Sequence, residues 1–130
     1  MIPEDVKKVF NDNTWFIATC GDEPNVVPVG FKCINDEGKF FIAAVLLETT
    51  IANIQANGKI AIAAAGEGAE SYQVKGTAEL VTEGPEYEYF VKLADDTFKG
   101  AFPCKCAVKV TPEKLIVATP SGQNKQELAL

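Results

Sequence analysis

Apolar and polar positions along this chain follow two periods. Over Pro3 to Asn11 the apolar residues Val6, Val9 and Phe10 fall on one helical stripe. Pro3 suits a first helical position, and Glu4 and Asp5 lie where a helix N-terminus favours acids. Asn11-Asp12-Asn13 ends the stretch. Thr14 to Cys20 is aromatic, β-branched and short, which predicts a strand. Gly21-Asp22-Glu23-Pro24 predicts a turn and Asn25 to Ile34 a second strand. Pro28 and Gly30 inside that strand mark an edge, a bulge or a bend. Asn35-Asp36-Glu37-Gly38 predicts a hairpin turn. Lys39 to Val45 reads as a third strand, apolar on both faces.

A short helix is expected over Ile51 to Asn57, with Thr49 or Thr50 as its N-cap and Asn57-Gly58 as its stop. Lys59 to Ala65 predicts a fourth strand. Glu70 to Thr82 predicts a fifth, in which Tyr72, Val74, Gly76, Ala78 and Leu80 alternate with polar residues. Pro85 to Thr97 reads as a helix with Tyr87, Phe90 and Val91 on its apolar side. Lys105 to Thr111 and Lys114 to Thr119 predict two further strands, separated at Pro112. Short turns join most strands. The expected fold is therefore mainly β: an antiparallel sheet of six or seven strands closed as a barrel, with helices packed outside. It fills a single domain over residues 1–130, with an ordered core at about 3–119 and a polar, loose tail at 120–130.

Composition narrows the function. The chain has 130 residues, enough for one well-buried core. Twelve basic and eighteen acidic residues give a net charge of −6, which argues against a nucleic-acid partner. No cationic amphipathic stretch favours a membrane, and the longest apolar run, Phe40 to Leu47, is too short to span one. Met1 to Asp5 does not resemble a targeting segment, and four cysteines fit a reducing compartment, so a cytoplasmic location is expected. Histidine is absent, which removes Ser-His-Asp triads, Cys-His dyads and His-ligated metals. Cys104 and Cys106 would share one face if the segment were a regular strand. The acidic residues fall mostly in turns and on helix surfaces, not as a converging pair.

A chain without catalytic groups of its own can work through a cofactor. Two features suit one. Glu48-Thr49-Thr50 opens the short helix, where free backbone N–H groups hold phosphate; plain helix capping explains the same residues. Val27-Pro28-Val29-Gly30-Phe31 is an irregular strand whose backbone groups are open to a flat heterocycle, or simply a barrel bulge.

The order of three motifs resembles the FMN-binding split β-barrel family, the pyridoxamine 5′-phosphate oxidase-like group, in particular its small bacterial FMN-binding proteins. The motifs are Pro-x-x-Val-Pro-Val-Gly-Phe at 24–31, Thr-Thr-x-Ala-Asn-Ile at 49–54, and Tyr-Gln-Val-Lys-Gly-Thr-Ala-Glu-Leu-Val-Thr-Glu-Gly-Pro-Glu-Tyr-Glu at 72–88. The resemblance implies a homodimer with FMN at the interface and a small molecule or redox protein as electron partner. It implies that Val27, Pro28, Val29, Gly30, Phe31 and Lys32, with Ala43, Ala44, Val45 and Leu46, run beneath the isoalloxazine. Phe31 and Trp15 are candidates to stack on it. Glu48, Thr49, Thr50 and Asn53 would take the phosphate, and Gln73 and Lys75 would lie near the partner's site. The family usually carries Lys or Arg where Thr49 stands. In this chain Lys32, Lys75 or a lysine of the partner chain would supply that charge. The tail lacks the arginines of true pyridoxamine phosphate oxidases, so vitamin B6 oxidation is not implied. The alternative is a split-barrel dimer that has lost FMN and serves as a binding module.

Overall fold

The period-two segments form one antiparallel sheet. The computed structural model describes residues 1–130. In chain order the elements are α1 (Glu4–Asp12), β1 (Trp15–Cys20), β2 (Pro24–Val29), β3 (Lys32–Ile34), β4 (Phe40–Ala43), α2 (Glu48–Asn57), β5 (Lys59–Ala65), β6 (Ser71–Val81), α3 (Pro85–Phe98), β7 (Ala107–Val117) and β8 (Glu127–Leu128). Seven strands pair in the order β2-β1-β5-β6-β7-β4-β3, with β8 on β7, and every pairing is antiparallel. The sheet curls into the expected split barrel around Trp15, Ile17, Phe40, Ile62, Val108 and Leu115.

The seam of that barrel explains Pro28 and Gly30. The expected strand over 25–34 divides at Gly30-Phe31 into β2 and β3, which are the two outer strands of the sheet. Pro28 is tolerated because β2 is an edge, where a missing N–H leaves no ladder bond unmade. The chain thus passes from one edge of the sheet to the other across two residues.

The two apolar faces of β4 are both used. Phe40 and Ile42 enter the barrel core, while Phe41 packs with Phe90, Ala94 and Ala107 beneath α3. At the closed end, the ring centroids of Phe10 and Trp15 are 6.0 Å apart and those of Trp15 and Phe40 are 5.0 Å apart. Trp15 Nε1 donates to Phe10 O at 2.7 Å, which satisfies its one polar atom in the core.

Three expectations change. The two last strands are one, β7, running through Pro112; a register shift at Lys75/Gly76 absorbs the proline. Gly76 is required there, because a Cβ would strike the Thr111 carbonyl and lie 3.2 Å from Pro112 Cα. The cap of α2 is Leu47 and no side chain caps it, so Thr49 and Thr50 sit in the first turn instead. The tail is tied back: Lys125 N donates to Val117 O at 2.7 Å, and Leu128 pairs with Leu115. No helix is long and apolar enough to cross a membrane.

Candidate functional site

The site is built where the seam meets the start of α2. In β2, Asn25, Val27 and Val29 face inward by alternation. Phe31 O then accepts from Ala43 N at 3.0 Å, which fixes the seam against the end of β4. Past β4 the chain must reverse to enter α2. It does so through Leu46, a non-glycine residue in the left-handed region at φ 59° whose side chain is 63% exposed. A branched, apolar, exposed residue in that conformation is strained, and such residues concentrate at functional sites.

Two adjoining cavities result, sharing Leu46 and Leu47. The first, of about 230 Å³, is lined by Pro28, Val29, Gly30, Phe31, Ala43, Val45, Leu46, Leu47 and Phe98. Phe98, from the last turn of α3, leans on Phe31 with centroids 5.7 Å apart. None of the nine residues carries a titratable side chain. A Cβ built on Gly30 meets no atom within 4 Å, so the fold itself does not demand a glycine there.

The second cavity, of about 360 Å³, is lined by Asn25, Val27, Leu46, Leu47, Glu48, Thr49 and Thr50. The first helical bond of α2 runs from Ile51 N to Leu47 O at 2.9 Å. The N–H groups of Glu48, Thr49 and Thr50 therefore have no acceptor within the helix, and the helix dipole adds partial positive charge. Thr50 is 1% exposed, and its hydroxyl accepts from Asn25 Nδ2 at 3.2 Å. Asn53 Nδ2 donates to Thr19 Oγ1 at 2.9 Å, which ties α2 to β1. A third opening of about 320 Å³ continues past Thr49 to Asn53, Asp22 and Glu23.

The fold thus gathers most of the residues expected from sequence. Pro28, Val29, Gly30, Phe31, Ala43, Val45 and Leu46 surround the apolar cavity; Val27, Glu48, Thr49 and Thr50 the polar one; Asn53 the third opening. Ala44 instead packs into the barrel core. Lys32 is placed elsewhere: its Nζ donates to Phe10 O at 3.1 Å and lies 4.9 Å from the Trp15 ring centroid. Burial there lowers its pKa, with Asp12 opposing. Trp15 belongs to the core. Gln73 and Lys75 lie on the outer face of β6, opposite Ala63 and Ala61 of β5.

The cysteines do not form the same-face pair expected of a strand. Cys104 packs under α3 and Cys106 in the barrel core, because residues 103–106 precede β7 as irregular chain. Burial raises the pKa of both thiols. Burial also raises Cys33, helped by Glu86, to about 11. Thiols held protonated in this way are poor nucleophiles.

Sequence reading missed Asn25, Leu47 and Phe98, which line these cavities, and Lys105, which lines neither but lies beside Glu48. Asn25 was findable by alternation with Val27 and Val29. Lys105 was not, because only folding brings it to α2, where its Nζ lies 3.9 Å from Glu48 Oε1. A larger cavity, about 560 Å³, opens beside α1, but Asp5, Asp12, Glu67 and Glu70 line it with a single lysine, Lys8. It contains none of the candidate residues and would repel an anion.

A model of the pyridoxamine 5′-phosphate oxidase family matches residues 2–124. An uncharacterized protein of Methanocaldococcus jannaschii is 32% identical over 106 residues, covering 78% of this chain and 68% of that one. Among solved structures, HupZ of Group A Streptococcus superposes with a TM-score of 0.78 at 28% identity, covering 95% of this chain and 98% of that one. An FMN-binding protein from Syntrophomonas wolfei superposes with a TM-score of 0.76 at 17% identity, covering 91% and 86%, which is a likeness of fold.

Proposed function

The chain belongs to the pyridoxamine 5′-phosphate oxidase family, and from that premise we propose that it is a flavoprotein that binds FMN at the seam. The observation that carries this reading is the juxtaposition of two unlike cavities across Leu46 and Leu47. One is apolar and bordered by a glycine with open space above it; the other is headed by an uncapped helix N-terminus. A molecule with a flat apolar ring at one end and a phosphate at the other matches both halves. The fold of the Syntrophomonas wolfei FMN-binding protein supports the same choice.

Val29, Gly30, Phe31, Ala43, Val45 and Leu46 would hold the ring, Phe98 would close its edge, and Thr49, Thr50 and Asn25 would take the phosphate. Bound FMN would supply one- or two-electron transfer. The protein's own part is to orient the ring and keep water from it. With no titratable side chain around the apolar cavity and no histidine in the chain, protons come from solvent or from the partner. The electron partner is accordingly a small molecule or redox protein that needs no acid from this chain. All twelve basic residues are lysines and none lines the apolar cavity, so a phosphorylated substrate finds no cation there.

The active form we propose is a homodimer. Across the outer face, Pro28, Phe16 and Ala63 stand in register, as do Val26, Ala18 and Ala61. Phe16 is 49% and Val26 64% exposed. This apolar stripe borders the seam at Pro28 and ends at Gln73 and Lys75, so a second copy lying on it would complete the site's open side. Four cysteines with no disulfide fit a cytoplasmic protein.

The test is titration of FMN into the protein, followed by flavin fluorescence, with light scattering for mass. Quenching that saturates at one FMN per chain in a particle of twice the chain mass supports the reading. A second reading has its own observation: Asp22, Glu23 and Glu48 surround the polar end. A split barrel that has exchanged FMN for another ligand would show no quenching.

A further inference from the structure

We propose that Lys105 supplies the positive charge at the phosphate end of the site and that Glu48 competes for it. The inference rests on the flavin reading above. Two backbone bonds place Lys105: its N–H donates to Ala44 O at 3.1 Å, and Ala44 N donates to Cys106 O at 2.9 Å. They dock the segment before β7 onto the chain just ahead of Leu46. From there the side chain reaches the first residue of α2, with Nζ 3.9 Å from Glu48 Oε1. Lys32 is committed to Phe10 and Trp15 inside the barrel end, and Lys75 faces outward from β6. Within one chain, Lys105 is the lysine whose ammonium stands at the first residue of α2.

The polar cavity holds one buried hydroxyl beside this helix start. Thr50 is 1% exposed and lines it, and the hydroxyl's hydrogen bond within the protein is the one it accepts from Asn25. Its proton is left to give, as a phosphate oxygen requires. The Lys105–Glu48 pair does not hold the ammonium firmly. Its side chains are 52% and 81% exposed, and such pairs are weak. A phosphate carrying close to two negative charges is a stronger acceptor than one carboxylate. Glu48, fixed at the first position of α2, adds repulsion to the same guest. Together the two residues set how strongly the site prefers a flavin with a phosphate to one without.

The experiment compares FMN with riboflavin, which has the same ring and no phosphate, by fluorescence quenching in the unmodified protein, Lys105→Gln and Glu48→Gln. The expected result for Lys105→Gln is a loss of about tenfold in FMN affinity, the size of a partly screened charge contact, with riboflavin affinity unchanged. Glu48→Gln should tighten FMN by about three- to fivefold and leave riboflavin unchanged. Both residues are exposed, and unchanged riboflavin binding itself reports an intact fold. The proposal is overturned if Lys105→Gln changes both flavins equally or changes neither. If the unmodified protein binds both flavins equally well, the flavin reading stands and the role of Lys105 falls. If it binds neither, both fall.

Discussion

Gly30 gives the account a prediction in which stability and binding move in opposite directions. The residue lies at the seam between β2 and β3, its φ is not in the left-handed region, and a Cβ there meets nothing within 4 Å. A side chain should therefore cost the folded protein nothing. It should also reduce the freedom of the unfolded chain, and replacing glycine by alanine at such a site stabilises by about 0.4–1 kcal/mol. For a domain of this size that raises Tm by about 1–4 °C. The same open space borders the apolar cavity assigned to the flavin ring. A Gly30→Val side chain would press on that ring, and overpacking of this kind costs about 1–3 kcal/mol. FMN affinity should then fall by about 5- to 150-fold. Thermal melts without flavin and FMN fluorescence titrations of Gly30→Ala and Gly30→Val measure the two effects. A Tm lowered by several degrees would show that the seam needs glycine for its own folding. Unaltered FMN affinity in Gly30→Val would show that no ring lies against this position.

Gly76→Ala should have the opposite thermal effect, because its Cβ would collide with backbone across the β6–β7 bulge; a loss of at least about 2 kcal/mol is expected in denaturant melts. Thr50→Val keeps the shape of a buried side chain but breaks its bond to Asn25. It should cost about 0.5–1.5 kcal/mol of stability and weaken FMN more than riboflavin. With a chromogenic disulfide at mild pH, Cys20, exposed on β1, should react rapidly while Cys33, Cys104 and Cys106 react slowly, since burial raises the pKa of all three. The Cys33 thiol keeps its proton to about 11 in the folded chain, above its ordinary 9.0. Its contribution to stability is therefore complete below pH 9.0 and lost as pH rises toward 11, and Cys33→Val should flatten that part of the stability profile.

How far the sequence disclosed the molecule depends on the distance over which each signal acts. Alternation over Glu70 to Thr82, turn residues at 35–38 and helical spacing over Pro3 to Asn11 are local, and their elements stand as read. Pro28 and Gly30 announced an irregular strand. That this irregularity is the seam joining both sheet edges depends on the strand order, which no local pattern carries. Pro112 read as a break because what carries β7 past it, a bulge at Glu113 opposite the Lys75/Gly76 step of β6, is a matter of pairing that no local pattern shows. Thr49 and Thr50 read as caps because their hydroxyls suit that role. The backbone caps at Leu47 instead, and so leaves the first turn of α2 open to a ligand. Cys104 and Cys106 part to different clusters because their segment is not a strand, and strand alternation does not govern it. Lys32 looked available from its neighbours Phe31 and Gly30. A bond to Phe10, 22 positions away, takes it out of reach.

The most direct measurement of the central claim is the visible absorption spectrum of the protein after incubation with FMN and removal of free flavin by gel filtration. The account predicts a retained flavin band, shifted and structured relative to free FMN, at one flavin per chain. A protein that emerges colourless under those conditions, while still folded by circular dichroism, would contradict it.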